Sequence, residues 1–130
     1  MSKQLFLEQN QREGESYAGI ILGENGAPDY HLFELPRIPG EKYNFDAAMK
    51  RAKLLTGEFE ILVANRDENQ LIRINSANSS GAIGWHWTSE KLAVNTDYAW
   101  VQGFNTGTQC CYHKSNEFSA AFVRRIYIQE

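Results

Sequence analysis

A chain of 130 residues is the usual size for one shared core. Its 16 acids and 13 bases are spread without runs and leave a net charge of −3, which offers no basic stripe to a phosphate backbone and argues against nucleic acid as a partner. No stretch approaches the roughly 18 apolar residues that span a bilayer, and the start MSKQLFLEQNQREGE has no apolar secretory core behind a basic end. Membrane insertion is therefore not expected, and synthesis in the cytoplasm without a signal peptide is.

Residues 1–16 are polar apart from Leu5, Phe6 and Leu7 and are read as an N-terminal arm; residues 17–130 are read as one domain. Tyr17 to Leu22 and Tyr30 to Leu35 have the composition of strands. Asn25-Gly26 between them supplies the positive φ of a hairpin loop, so the two should pair antiparallel. After Pro36, Pro39 and Gly40, Asn44 can cap a helix in which Phe45, Ala48, Met49, Ala52 and Leu55 share one stripe. Glu58 to Val63 reads as an extended crossing. Asn65 followed by Glu68 has the layout of a capping box, which starts a second helix near Arg66 and runs it to about Asn75, with Leu71, Ile72 and Ile74 as its buried side.

The loop SANSSGAIG then separates this helical half from a β half. Trp85 to Ser89, Tyr98 to Phe104, Thr108 to His113 and Ala121 to Ile128 follow at intervals that indicate an antiparallel meander. The fold class is α+β, with two helices packed on short antiparallel strands. Alternation puts Trp85 and Trp87 on one face of their strand and His86 on the other. It also sends Arg124 and Arg125 to opposite faces, one to an internal carboxylate and the other to solvent. Cys110 and Cys111 are neighbours on a strand, a poor geometry for an ordinary disulfide, and are read as free thiols.

NFDAAMKRAKLL, NRDENQLIRI, WHWTSE, YAWVQGFNTG, CCYHKSNE and VRRI, in this order after a hairpin, resemble the C-terminal domain of the Legionella collagen-like adhesin. Phage and prophage proteins share that domain, which is similar to the C-type-lectin-like fold of formylglycine-generating enzymes. The resemblance covers residues 17–128. Its most specific parts are Trp87-Thr88-Ser89-Glu90, Tyr98-Ala99-Trp100, Phe104 with Gly107, and Val123-Arg124-Arg125. The chain departs from the pattern at Leu62-Val63-Ala64-Asn65-Arg66, where many relatives have Leu-Pro-Thr-Arg. It also lacks the metal-binding cysteine pair of the enzymes and the calcium loop of true C-type lectins, so neither activity carries over.

Some proteins of this fold are targets of diversity-generating retroelements, which replace adenines in the codons of a C-terminal cassette. The resemblance marks Gly103, Thr106, Thr108, Cys110, Cys111, Tyr112, His113, Phe118, Ser119, Ala120 and Phe122 as variable positions, each reachable from an AAC codon. Phe104, Asn105, Gly107, Gln109, Lys114 to Glu117 and Val123 would be the fixed frame. The eleven variable residues are the candidate ligand-binding set, and the side chains of Thr108, Cys110, Tyr112, His113, Phe118 and Phe122 are expected mostly to face solvent together. The implied partner is a protein or carbohydrate ligand on a cell surface, or another phage protein.

Three histidines and two cysteines lie at none of the spacings that structural zinc sites use, so no metal is expected. Cys111 and His113 share a strand face, but nothing in the sequence supplies an orienting acid or an oxyanion hole, so no catalytic residues are assigned. The expectation is a non-catalytic binding module of phage or prophage origin without cofactors, associated with the virion if phage. The alternative is a structural tail or assembly component packing against sister subunits, which leaves a homo-oligomer open. An enzyme remnant related to formylglycine generation is the third reading.

Overall fold

The computed structural model describes residues 2–129, so Met1 and Glu130, the outer ends of the two expected segments, lie outside it. Within residues 1–16 the chain forms a helix the sequence did not announce, α1 (Lys3–Asn10), capped by the Ser2 side chain on the Leu5 amide at 3.1 Å. It has no fully buried residue, and its one stacked ring is that of Phe6, which lies on His31 at 3.9 Å. Asn25 and Gly26 take φ of 55° and 85° and turn β1 (Ser16–Ile21) into β2 (Tyr30–Glu34), the expected antiparallel hairpin.

Both cap signals are used. Asn44 accepts from the Ala47 amide at 2.8 Å and opens α2 (Phe45–Leu55), which buries Phe45, Ala48 and Ala52. The extended crossing shrinks to β3 (Leu62–Val63). Asn65 and Glu68 form the reciprocal capping box of α3 (Arg66–Asn75), each side chain taking the other's amide at 2.8 Å. Ile72 is buried as expected, but Ile74 is 63 % exposed. Glu68 and Asn69, one turn earlier, take the inner face because each finds polar partners there.

Past a single 3-10 turn at Ala77–Ser79, the β half comprises β4 (Trp85–Lys91), β5 (Tyr98–Gly103), β6 (Gln109–His113), β7 (Ser119–Ala120) and β8 (Phe122–Tyr127). It is not one meander. β7 runs parallel to β4, and β8 leaves its predecessors to pair with β2 and β3. The fold is therefore α+β, with three helices and two four-stranded sheets among the described residues, ordered β1-β2-β8-β3 and β6-β5-β4-β7. Leu32, Val123, Ile72 and Phe104 form one core under α3, while Phe45, Ala48, Val63, Trp87 and Val101 form a second under α2.

On the closing strand one expectation fails. Arg124 and Arg125 do point opposite ways, but neither is simply solvated. Arg124, 2 % exposed, meets Glu15 at 2.7 Å and also donates to the Asn10 carbonyl at the end of α1. Arg125 meets Glu68 at 2.7 Å, and Glu68 also accepts from the Tyr30 hydroxyl at 2.8 Å. Burial, with Glu68 beside it, raises the Tyr30 pKa. A carboxylate buried this deeply is retained because each oxygen has a charged or hydroxyl donor.

Candidate functional site

Strand alternation divides the eleven candidate residues instead of gathering them. On one face of the second sheet, Cys110 and Tyr112 of β6 stand opposite Val101 and Ala99 of β5. β5 is narrow there, with Gly103, Val101 and Ala99 all buried, so the large rings on either side lean over it. Tyr112 lies 5.5 Å from Trp85 and 5.2 Å from Phe118, and Phe118 lies 5.1 Å from Trp87. Trp87 is the buried anchor. It meets Phe45 of α2 edge-on and donates its indole N–H to the Tyr43 carbonyl at 2.7 Å. Trp85, Tyr112 and Phe118 are half-buried, and the exposed Thr106 and Thr108 sit at the adjoining turn.

Cys111 and His113 take the other face, beside Trp100 and Tyr98. Arg66 of α3 lies 3.7 Å over the Trp100 ring and holds Gln109 by two hydrogen bonds of 3.1 and 2.9 Å. The His113 ring bonds Ser115 at 2.8 Å, and among the described residues no carboxylate orients it. Both cysteines are free. Ser119, Ala120 and Phe122 belong to a third place, the wall of a cleft between the loops 35–43 and 78–83. Of the six side chains expected to face solvent together, only Thr108 and His113 are exposed. Cys110, Tyr112 and Phe118 are half-buried on the aromatic face, and Phe122 has moved into the first sheet with β8.

One property does unite the eleven. Among the described residues, none of their side chains makes a hydrogen bond to a residue more than two positions away along the chain. The intervening frame residues behave differently. Phe104 stacks on His86 at 3.6 Å, Gln109 is locked to Arg66, and Gly107 has φ of 80° with no room for a Cβ beside the Arg73 guanidinium.

The cleft, missed from sequence, has a volume of about 530 Å³. Its best-held polar side chain is Arg37, which reaches buried Glu34 at 3.2 Å, Ser79 at 2.9 Å and the His86 Nε2. His86 is fully buried, and its Nδ1 donates to the Gly84 carbonyl at 3.0 Å, so Nε2 is an acceptor and the ring is neutral. Burial first, and the Arg37 charge second, lower its pKa to about 3. On the outer wall the Tyr43 hydroxyl donates to Glu41, and burial together with that carboxylate pushes its pKa up to about 12. The sequence signal for the cleft was slight: exposed Ile38 between two prolines and exposed Ile83 between glycines.

Among the described residues no group of three or more His, Cys, Asp or Glu side chains is placed to hold a metal ion, and no helix is long and apolar enough to cross a membrane. Compared with family models and with curated proteins, the chain matches none.

Proposed function

We propose that this chain is a non-catalytic binding module of phage or prophage origin in a C-type-lectin-like fold. In this reading Trp85, Tyr112 and Phe118, with Thr106 and Thr108 beside them, contact a protein or carbohydrate on a cell surface. The observation that carries it is the division of labour along residues 103–123. Phe104, Gly107 and Gln109 of the frame are held by distant residues, whereas the side chains of Thr106, Thr108, Cys111, Tyr112 and His113 make no hydrogen bond to a distant residue among the described residues and tolerate exchange. Half-buried aromatic rings are also the side chains that supply most binding energy per residue. The order of hairpin, two capped helices and paired strands is the order the family resemblance implies, which supports the fold assignment.

The test is an array of glycans and bacterial surface proteins probed with the labelled chain. Trp85→Ala and Tyr112→Ala should each weaken the strongest hit by about tenfold or more, roughly 1.4 kcal/mol, at unchanged near-ultraviolet circular dichroism. Full binding by both variants would contradict the assignment. Diversification is decided separately by the neighbouring DNA. A near-copy of the codons for residues 103–122, with adenines at the eleven positions and a reverse transcriptase gene nearby, is the expected arrangement, and its absence removes the retroelement.

One observation favours the assembly reading. β6 is the outer strand of its sheet, and Gln109 to Tyr112 carry no charge to discourage pairing with another strand. Ligand-free self-association in sedimentation, abolished by Cys111→Pro, would favour a structural component; a monomer at all concentrations favours the binding module.

A further inference from the structure

We propose that the cleft between loops 35–43 and 78–83 is a second binding site, separate from the aromatic face, for a carboxylate that carries an apolar group. Arg37 is its centre. The guanidinium is fixed from behind by three groups that are themselves buried, Glu34, Ser79 and His86, and it lies 5.7 Å over the Phe104 ring. An arginine has five N–H donors. Two from Nη1 and one from Nη2 are taken by those partners, which leaves the Nε–H and the second Nη2 hydrogen without an acceptor among the described residues, on a side chain that lines the cleft.

The neighbouring groups do not satisfy those two donors. Glu34 is fully buried, and its oxygens are already occupied by Ser76, Ser79 and Arg37. Glu41 is held by the Tyr43 hydroxyl. His86 accepts from Arg37 and donates to a carbonyl, so it presents no free donor. A second cation, Arg51 of α2, lines the same cleft. An incoming carboxylate therefore meets the planar donor pair of Arg37, the feature that distinguishes it from a neutral acceptor, while the charges of Arg51 and Glu41 share the same wall.

Apolar side chains also line the cleft: Ile38 and Ile83, 52 % and 72 % exposed, and the half-buried Leu55 and Phe122, with Asn78, Ser80 and Ser119 between them. At about 530 Å³ the space suits a small ligand with a branched aliphatic or phenyl group. Two sources share this chemistry, a free organic acid and the C-terminal carboxylate of an apolar peptide.

The test is an amide NMR titration of the whole chain with two pairs of probes at millimolar concentration: 4-methylpentanoate against 4-methylpentanamide, and N-acetyl-alanyl-leucine against its C-terminal amide. Each acid should shift the resonances of Ile38, Ala82, Ile83 and Ala120, and bind about tenfold or more tightly than its amide. The tighter of the two acids identifies the source. Arg37→Lys keeps the charge facing Glu34 but removes the fork and should weaken acid binding about tenfold. If that variant fails to fold, Arg51→Gln on the partly exposed face of α2 should reduce acid binding while sparing the amides. Equal binding of acid and amide, shifts centred on Trp85 and Tyr112, or no shifts at all would overturn the proposal and leave the aromatic-face reading untouched.

Discussion

Trp87→Ala should lower the folding free energy by about 3–5 kcal/mol, the range for removing a fully buried large aromatic side chain. Trp87 has no exposed surface, packs between Phe45 and Phe118, and ties β4 to the Tyr43 carbonyl through its indole N–H. Its loss would open a cavity and remove one of the two hydrogen bonds that the Tyr43 carbonyl accepts, the other coming from the Phe118 amide. Trp85→Ala, two residues away on the same face, should cost less than half as much, because Trp85 is half-buried and its indole donates no hydrogen bond among the described residues. Urea midpoints of the two variants measure the contrast. Equal losses would mean that both indoles are structural and that the aromatic face is core.

Acid should destabilise the protein through His86. Its folded pKa is about 3 against an ordinary value of 6.5, so between those values the unfolded chain binds a proton that the folded chain refuses. The stabilisation is fully present above pH 6.5 and is lost as pH falls toward 3. Every tenfold difference in proton affinity between the two states is worth about 1.4 kcal/mol, so the loss amounts to several kcal/mol across that window. Burial lowers the pKa of His31 as well, under Phe6 of α1, and adds to the loss in the same direction. Urea midpoints at pH 7.5 and 4.5 should fall steeply for the natural chain and less steeply for His86→Gln, which keeps a neutral acceptor for Arg37. Parallel slopes would show that the carboxylates alone set the acid limit.

The parts of this fold that were legible in the sequence are those written locally. Asn44, Asn65 with Glu68, and Asn25-Gly26 each act on backbone within a few residues, and helices α2 and α3 and the hairpin begin where those residues place them. Helix α1 escaped because it is short and has no apolar stripe; it is held by Phe6 and by Arg124, which is 114 residues from Asn10. The path of β8 escaped because pairing with β2 depends on where the chain goes between 114 and 121, through the loop 114–118 and the short β7. The same gap hid the partner of Arg125, since Glu68 shows in sequence only as a helix cap.

The binding surface was legible in part for the same reason. Alternation correctly separates Trp85 and Trp87 from His86, but applied to β6 it also parts Cys110 and Tyr112 from Cys111 and His113. Residues adjacent in sequence thus face opposite ways, and the turn before β7 takes Phe118 back over the sheet while Phe122 leaves it. The cleft is assembled from four separated segments of the chain, and no window of sequence contains it.

Hydroxyl-radical footprinting of the chain, alone and saturated with its strongest array hit, distinguishes the two faces of the second sheet. Oxidation of Trp85, Tyr112 and Phe118 should fall on binding while that of Tyr98 and Trp100, on the opposite face, stays constant. Protection of the opposite face instead, or an unaltered pattern at saturation, would contradict an exchangeable aromatic surface on this scaffold.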